Sequence, residues 1–248
     1  FSGVVEAVGQ QVTQFKQGDQ LFGPTTIKMG AYAGYLCLPA SHPLAIMPPG
    51  MSFDEAATIA VGGANALHFV RHANIKPQQK MLIIGAGGSI GTYSLQLAKL
   101  KGAEVTAVDS ANKLEMLHSI GADHTIDYTK EDFGKNAKTY DLILDIVGTG
   151  SFLRNLNSLK SGGNYLMANP NKLSMIVQGL WVSWFGKKKV TMALASMNTA
   201  DMTHVAELIV AGKIKPAIDK RYPLEQVADA HRYVEAGHKK GSVVVNVT

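Results

Sequence analysis

The sequence predicts an α/β protein that combines a doubly wound parallel sheet with a smaller β-rich part. Three observations predict this fold class. Short apolar runs alternate with helical segments through the middle of the chain. A glycine-rich turn follows the first of these runs. The residues before Gly50 form a different pattern, made of short strands and turns.

The first 50 residues are the predicted β-rich part. Strands are predicted at Val4 to Val8, Leu21 to Phe22 and Ala33 to Leu38, because β-branched and aromatic residues cluster there between turn residues. A Gly-Asp pair precedes the second strand, and a Pro-Pro-Gly run ends this part at Gly50. These signals predict a small antiparallel sheet.

The chain then becomes helical. Ser52 and Glu55 form the S-x-x-E pattern of a capping box, which indicates the start of a helix. Helices are predicted from Asp54 through Arg71, up to the first strand of the parallel sheet.

Six strands alternate with helical segments after this point, as in a doubly wound sheet. They are predicted at Met81 to Ile84, Glu104 to Val108, Thr125 to Ile126, Leu142 to Asp145, Asn164 to Met167 and Val190 to Ala193. A helix from Leu224 to Ala236 and a strand from Ser242 to Val247 are expected to rejoin the N-terminal part. The predicted domains are therefore residues 1–50 and 217–248, which together form the β-rich part, and 51–216, which binds a nucleotide.

The segment from Lys80 to Asp109 carries the strongest functional signal. Gly85, Gly88 and Gly91 give the spacing GxxGxxG rather than the common GxGxxG. Glycines at this turn allow the backbone to approach a pyrophosphate, toward which the next helix would direct its N-terminal amides. Asp109 ends the second strand, near the expected place of an acid that binds a ribose hydroxyl.

Two other interpretations of this segment stay open from the residues alone. In the first, the glycines form a strand-to-helix turn without a ligand, and Asp109 caps the helix near Asn112. In the second, the protein is a methyltransferase, since those enzymes also combine glycines after a first strand with an acid after the second. The agreement of strand, turn, helix and acid favours a dinucleotide.

Composition limits the class of protein. Of the 248 residues, 46% are apolar and 17% charged, which is typical of a globular protein, and no apolar run approaches a membrane span. The net charge of +5 is scattered apart from Lys187 to Lys189 and His238 to Lys240. This pattern predicts solvated turns and a phosphate-bearing cofactor, with neither a nucleic acid nor a membrane as partner.

Two further features concern the chain as a whole. A single cysteine, Cys37, excludes an internal disulfide and is consistent with a cytoplasmic location. The sequence begins with Phe1 inside a predicted strand and without an initiating methionine, which predicts a fragment or a processed product.

Segments along the whole chain resemble the medium-chain dehydrogenase/reductase superfamily, and specifically its zinc-free quinone oxidoreductase-like (zeta-crystallin-like) branch. In order, they are GVVEAVGQQVTQFKQGDQLFG, GAYAGYLCLPA, AATIAVGGANALHFV, LHSIGADHTIDYTKEDF, YDLILDIVG, AGKIKPAID and RYPLEQVADAHRYVEAGHKKGSVVVNV. The resemblance implies a Rossmann domain and a partial GroES-like catalytic domain, whose opening strands would precede Phe1. It also disfavours a methyltransferase, which has no reason to carry these flanking segments.

The resemblance implies that zinc is not used. Zinc alcohol dehydrogenases of the superfamily carry a GHE motif, a four-cysteine lobe and a cysteine in the helix where this chain has Val61. The lobe is missing between Phe22 and Ala31. His68 and His72 have helical i, i+4 spacing, but no third ligand is close in the sequence. We therefore predict no metal site.

The function implied by the resemblance is reduction of a quinone, an enone or a related carbonyl compound, with hydride from NADPH or NADH. The alternatives are a non-catalytic nucleotide-binding or redox-sensing protein and an alcohol dehydrogenase. Relatives commonly form dimers through the edge of the Rossmann sheet, so a homodimer through the strand Val190 to Ala193 is expected.

The candidate cofactor-binding residues lie in the glycine turn and after the carboxyl ends of the strands. Asp109 would accept from both ribose hydroxyls, which favours NADH, whereas Ser110, Lys113 and Tyr128 match positions that hold the 2′-phosphate in NADPH-using quinone reductases, which shifts the expectation slightly to NADPH. The full set is Gly85, Ala86, Gly88, Ser89, Ile90, Gly91, Asp109, Ser110, Lys113, Tyr128, Val147, Gly148, Ala168 and Asn169.

Three residues are candidates for catalysis. Tyr32 and Tyr35 lie three apart on a predicted strand, so they would point to opposite faces and one of them could donate to a substrate oxygen. Both could equally be core aromatics. Asn65 stands where relatives often have a threonine near the nicotinamide, so its amide is expected to hold the ring, or else to be an ordinary polar helix residue.

Overall fold

The computed structural model describes residues 1–25, 29–135, 139–148, 151–170, 173–193 and 197–247. They form two compact units. The first comprises Phe1–Asn65 and Ser196–Thr248, and the second comprises Ala66–Ala195. The predicted α/β class is confirmed, with one parallel and one small antiparallel sheet.

The first unit contains the small sheet and the chain's two ends. Strands β1 (Ser2–Val4), β2 (Gln20–Phe22) and β3 (Ala45–Ile46) form an antiparallel sheet in that order. Strands β10 (Ile218–Pro223) and β11 (Ser242–Asn246) pair in parallel. The helices with residues in this unit are α1 (Phe53–Thr58), a π-helical turn (Ile59–Gly63), the start of α2 (Ala64–Ala73), α7 (Thr199–Val210), a 3-10 turn (Leu224–Gln226) and α8 (Val227–Glu235).

Two of the strands predicted for this part are wrong. One has other bounds, and the other does not form. The first strand is Ser2–Val4, not Val4 to Val8, because the chain leaves the sheet after Val5, whose amide donates to the Asp19 carbonyl at 2.8 Å. The segment from 33 to 38 forms no strand, and Tyr35 is 81% exposed. A strand needs a neighbouring strand as its hydrogen-bonding partner, and the described residues provide none there.

The tail contacts residues of the N-terminal part within the first unit. The Arg221 side chain binds the carboxylate of Asp54 at the start of α1. In the same unit, a Cβ atom at Gly63 would lie 2.8 Å from Val205 of α7, so the helix packs directly on the π-helical turn. The long-range contacts of the tail therefore hold the helices of this unit in place.

The predicted capping box begins α1. The Ser52 hydroxyl accepts from the Glu55 amide at 3.3 Å, and the Glu55 carboxylate accepts from the Ser52 amide at 3.0 Å. Ser52→Ala is expected to lower the free energy of unfolding by about 1 kcal/mol, because it leaves helix amides without a partner. Urea unfolding measures this loss. Ser52→Asp keeps an N-cap acceptor and should stay near the wild type, so an equal loss in both variants would contradict the capping role.

The second unit is built on the six predicted strands, now with their full bounds. They are β4 (Lys80–Ile84), β5 (Glu104–Asp109), β6 (His124–Asp127), β7 (Tyr140–Asp145), β8 (Leu159–Met167) and β9 (Lys189–Met192). Its helices include the rest of α2, α3 (Ser89–Leu100), a 3-10 turn (Ala111–Lys113), α4 (Leu114–Ser119), α5 (Phe152–Asn157) and α6 (Leu173–Phe185). All strand pairs are parallel, in the order β6-β5-β4-β7-β8-β9.

Two hydrophobic clusters cover the two faces of this sheet. Met81 and Ile83 of β4 belong to one cluster, and Leu82 between them belongs to the other. Successive residues of a strand point to opposite faces, so the apolar run of β4 supplies both clusters. The helices are thereby fixed on both faces, and the ends of the strands are left for a site.

Candidate functional site

The candidate site lies at the carboxyl edge of the parallel sheet. Chain order reverses there, because β4 pairs with β5 on one side and with β7 on the other. Open α/β sheets bind ligands at such a switch point. The edge carries the glycine turn after β4, Asp109 at the end of β5, Tyr128 after β6, Val147 after β7 and Ala168 after β8. The parallel sheet therefore gathers the predicted cofactor residues at one edge.

Gly85 occupies a position that requires glycine. Its φ is +82°, in the left-handed region, and its amide donates to the Val108 carbonyl at 3.0 Å. A Cβ atom there would lie 2.3 Å from Cγ2 of Val147. The chain leaving β4 thus passes directly against the loop that follows β7.

Gly91 brings the first turn of α3 onto the glycine turn. A Cβ atom at this position would lie 2.4 Å from the Gly85 carbonyl oxygen and 2.5 Å from that of Ala86. Gly88 is the N-cap residue and has no side chain to satisfy the amides of the first turn. Those amides, of Ser89 and Ile90 among others, are the donors that a pyrophosphate binds at a helix N-terminus.

Ala86 offers its backbone alone, because its side chain is fully buried in the core. Gly87, in contrast, lies in the candidate site but was not predicted from the sequence. Its amide donates to Oδ2 of Asp109 at 2.7 Å, and a Cβ atom there would lie 2.5 Å from Cδ of Lys113. The available signal was the fourth glycine of the turn together with the acid after β5. Gly87 and Asp109 thereby join the glycine turn after β4 to the end of β5.

Asp109 and Lys113 form a buried ion pair. Nζ of Lys113 lies 3.0 Å from Oδ1 of Asp109, and the two residues are 9% and 6% exposed. The carboxylate also accepts from the amides of Gly87 and Ser110, the latter at 2.9 Å. Most of its acceptor positions are therefore occupied by the protein itself, and its charge is compensated.

Two polar side chains beside this ion pair, Ser110 and Tyr128, differ in whether their hydroxyl already has a partner or is exposed to solvent. The Ser110 hydroxyl donates to the Asn112 side chain at 2.7 Å, while Tyr128 is 58% exposed. Asp127, which pairs with Asp109 across β6 and β5, was not a sequence candidate. The hydrogen bond that the Thr129 hydroxyl donates to the Asp127 carboxylate is the main cause that lowers the pKa of Asp127 below its ordinary value. The edge therefore carries a second carboxylate, in register with Asp109 on the neighbouring strand.

A buried network holds the loop after β7. Asp145 is 2% exposed, and its Oδ1 accepts from the amides of Val147 at 3.2 Å and Gly148 at 2.9 Å. Its Oδ2 accepts from the Tyr165 hydroxyl at 2.7 Å, and that hydroxyl accepts from Asn155 at 3.2 Å. Burial, and then the charge of Asp145, raise the pKa of the Tyr165 phenol, which keeps it protonated as the donor.

Val147 and Gly148 were predicted from the sequence, but the hydrogen-bond network around Asp145 was not. Its signal was the acid Asp145, which directly follows the apolar run Leu142 to Leu144 at the end of β7. The Asp145 carbonyl also accepts from the Ala168 amide at 2.9 Å, and Asn169 beyond it is exposed. One buried residue thus positions parts of two loops at the edge of the sheet.

The three catalytic candidates have different surroundings. The Tyr32 hydroxyl lies 3.0 Å from Nε2 of His231, and their rings meet edge to face. Tyr32 and Tyr35 are both exposed, so neither is a core aromatic, and the strand geometry expected to separate them is wrong. Oδ1 of Asn65 is buried and has no hydrogen-bond partner among the described residues.

The residues present do not fit a zinc ion. Within the described ranges, no group of three or more His, Cys, Asp or Glu side chains is placed to hold a metal. His68 and His72 lie side by side, with ring centroids 4.2 Å apart, and Nδ1 of His72 bonds the His68 carbonyl at 2.9 Å. Two histidines do not form a tetrahedral site.

The glycine cradle does fit a dinucleotide. Side chains are excluded at Gly85, Gly87 and Gly91, and the amides of the α3 N-terminus lie beside the turn. A doubly wound sheet with this turn, together with a β-rich unit, defines the medium-chain dehydrogenase/reductase class. The model of a family described as zinc-binding dehydrogenase matches residues 120–245, and the chain belongs to this family.

Similar proteins agree with this assignment. The chain is 31% identical to 2-methylene-furan-3-one reductase of Solanum lycopersicum over 256 residues, which cover 99% of the chain and 62% of that protein. It is 31% identical to the mitochondrial NAD(P)H oxidoreductase RTN4IP1 of Mus musculus, covering 99% of the chain and 69% of that protein. The solved quinone oxidoreductase of Coxiella burnetii superposes with a TM-score of 0.91 at 25% identity, covering all of this chain and 78% of that one. The chain thus spans about two thirds of the length of these two curated relatives.

Proposed function

We propose that the protein transfers hydride from NADPH or NADH to a quinone, an enone or a related carbonyl compound without a metal ion. The observation that carries the proposal is the glycine turn at the switch point, closed on Asp109 through the Gly87 amide at 2.7 Å. The names of the similar proteins support the substrate class.

In this proposal the chain binds and orients the cofactor, which supplies the hydride when bound. The amides of Ser89 and Ile90 bind the pyrophosphate at the N-terminus of α3. Asp145 holds the loop at Val147 and Gly148 in one conformation through two amides, so the loop is preorganised beside the turn.

Two residues are proposed to act near the reacting groups. Asn65 has a buried Oδ1 without a partner among the described residues, which is a costly state for an amide oxygen. We propose that it accepts from the carboxamide of the nicotinamide. The Tyr32 hydroxyl, held by His231 at 3.0 Å, is proposed to donate to the substrate oxygen that becomes negative, in place of a Lewis acid.

Titration of the purified chain with NADPH and NADH tests the proposal, followed by addition of a quinone and an enone while the absorbance of the reduced nicotinamide is recorded. Binding followed by oxidation is the expected result. Binding without turnover would favour a nucleotide-binding or redox-sensing protein. Stoichiometric zinc in a metal analysis, with oxidation of an alcohol, would instead favour an alcohol dehydrogenase.

Cofactor preference depends on Lys113. We propose a preference for NADPH, in which the Lys113 ammonium binds the 2′-phosphate. Its ion pair with Asp109 supports the proposal, because it compensates the charge of the carboxylate that would otherwise repel a phosphate. Lys113→Met should weaken NADPH binding about tenfold and NADH binding much less, as measured by separate titrations. Lys101→Met removes an exposed lysine at the far end of α3 and serves as the control. An equal loss for both nucleotides in Lys113→Met would contradict a phosphate contact.

We propose further that the protein forms a homodimer and acts in the cytoplasm. β9 is an edge strand of the parallel sheet, so it offers unpaired backbone groups to a second copy. Light scattering that returns a monomer mass at working concentration would remove the dimer. Cell fractionation tests the location.

A further inference from the structure

The π-helical turn between α1 and α2 exposes one apolar side chain. Val61 is 53% exposed, and the other four residues of the turn are buried, namely Ile59, Ala60, Gly62 and Gly63. The Ala64 amide donates to the Ile59 carbonyl, which closes the wider π-helical ring. Single π-helical turns inside α-helices occur frequently at functional sites.

The buried side of this turn holds it in place. A Cβ atom at Gly63 would lie 2.8 Å from Cγ1 of Val205 in α7, so the backbone of the turn packs directly on that helix. Ile59 and Ala60 are buried as well. Because the backbone cannot rotate without losing these contacts, it presents Val61 in one orientation.

Stability does not explain a valine at this position. An exposed side chain buries little apolar area, and valine forms helices less readily than alanine. Helices that cross a membrane also expose valines, but no helix in the described parts of the chain is long and apolar enough to do so. The two methyl groups of Val61 restrict χ1 in a helix, so the exposed side chain keeps a defined shape. Such a side chain is suited to contact an apolar part of a ligand.

Asn65 lies one turn further along the same stretch of helix. Residues four apart are neighbours on one face, with about 6 Å between their Cβ atoms in an α-helix. Oδ1 of Asn65 is buried and has no hydrogen-bond partner among the described residues, so an acceptor is available next to Val61. Val61 and Asn65 thus place an apolar and a polar group side by side.

We propose that Val61 contacts the substrate at the carbon that receives the hydride, and thereby limits the size of the substituents on this carbon. The inference rests on the proposed function, in which Asn65 binds the carboxamide of the nicotinamide. C4 of the ring, which gives up the hydride, is next to the carbon that bears the carboxamide. Reacting atoms approach to within about 3 to 3.5 Å, so a substrate beside C4 would meet the side chain next to Asn65.

For an enone, the carbon in question is the one β to the carbonyl group. The substrate gains the hydride at this carbon, and the electron pair of its C=C bond moves to the carbonyl oxygen, which gives an enolate. The enolate then gains one proton. The substrate is thereby reduced by two electrons, and the nicotinamide is oxidised by two. The substituents of the β carbon are therefore the part of the substrate that Val61 would contact.

Val61→Ala and Val61→Phe test this size limit in opposite directions. Turnover is measured with ethylideneacetone, whose β carbon carries a methyl group, and with benzylideneacetone, whose β carbon carries a phenyl group. Val61→Ala should raise the ratio of kcat/KM for the phenyl substrate to that for the methyl substrate about tenfold, and Val61→Phe should lower it about tenfold or more. Val210→Ala and Val210→Phe make the same changes at a valine of α7 that is 50% exposed, and they should leave the ratio unchanged.

Thiol labelling gives a second readout that does not depend on activity. Val61→Cys is made in a Cys37→Ser background, which removes the single native thiol. Its thiol should react with iodoacetamide in the free protein. The oxidised nucleotide together with benzylacetone, the saturated product of benzylideneacetone, should slow this reaction about tenfold when the ketone is present at about ten times its Kd. The oxidised nucleotide without the ketone should protect less, and Val210→Cys in the same background should react equally under all conditions.

Two results would overturn the inference while the proposed function stands. The first is a wild type that turns over both enones with a ratio that neither Val61→Ala nor Val61→Phe changes. The second is labelling of Val61→Cys that the ketone does not slow beyond the effect of the nucleotide, since the side chain would then lie away from the substrate.

A wild type that turns over no acceptor with either nucleotide would instead overturn the proposed function. Labelling still decides the inference in that case. Added protection of Val61→Cys by benzylacetone would support the contact, and labelling that the ketone does not change would remove it.

Discussion

Replacing Gly91 by alanine is expected to lower the free energy of unfolding by about 3 kcal/mol, and with it the binding of any nicotinamide nucleotide. A Cβ atom at this position would lie 2.4 Å and 2.5 Å from two carbonyl oxygens of the glycine turn, which is closer than any tolerated contact. Backbone atoms cannot rotate away as a flexible side chain can. The first turn of α3 must therefore move off the turn, and urea unfolding with nucleotide titration measures both consequences.

Gly88→Ala is the matched control for this prediction. A Cβ atom at Gly88 would lie 3.7 Å from the Gly85 carbonyl oxygen, an ordinary contact, and the φ of −87° suits alanine. Its unfolding free energy should stay within about 1 kcal/mol of the wild type. If Gly91→Ala were as stable as Gly88→Ala, the close approach of α3 to the turn would be wrong.

Replacing Asp145 by alanine is expected to cost about 3 kcal/mol of stability. The change leaves the amides of Val147 and Gly148 and the buried hydroxyl of Tyr165 without their acceptor. The loop after β7 should then lose its fixed conformation. We expect nucleotide affinity, measured under conditions where the variant is still folded, to fall as well.

Tyr165→Phe separates the two parts of this effect. It removes the phenol that donates to Oδ2 of Asp145 at 2.7 Å but keeps both loop amides on Oδ1. Stability should fall by about 1 to 2 kcal/mol, with nucleotide affinity nearly unchanged. Equal affinity in Asp145→Ala and the wild type would show that the loop does not depend on the carboxylate.

The parallel sheet could be predicted because apolar runs in the sequence mark most of its strands. Continuous apolar runs such as Met81 to Ile84 are typical of strands buried on both faces. All six predicted strands were found, with bounds that differ by at most five residues from the predicted ones. The segment from 33 to 38 has the same apolar and aromatic character but forms no strand. The apolar pattern of one segment does not show whether a second strand is available to pair with it.

Of the candidate site, the glycine turn after β4 could be predicted from the sequence. Glycine spacing and an acid at the end of β5 placed Gly85, Gly91 and Asp109 together, since carboxyl ends of parallel strands meet at one edge. The partners of Asp109 were not predictable, because the closure by Gly87 and Lys113 depends on side-chain directions at the end of the strand. The same holds for the Asp145–Tyr165 pair, whose members are 20 residues apart in the sequence.

The division of the chain into units has a consequence for its synthesis on the ribosome. The second unit is continuous, Ala66–Ala195, so all of its strands are available once that stretch has emerged. The first unit is discontinuous, so the contacts between Phe1–Asn65 and Ser196–Thr248 form only after the second of these stretches has emerged. A growing chain therefore completes its second unit before Ser196–Thr248 has joined Phe1–Asn65. During that interval Phe1–Asn65 is exposed to chaperones and proteases.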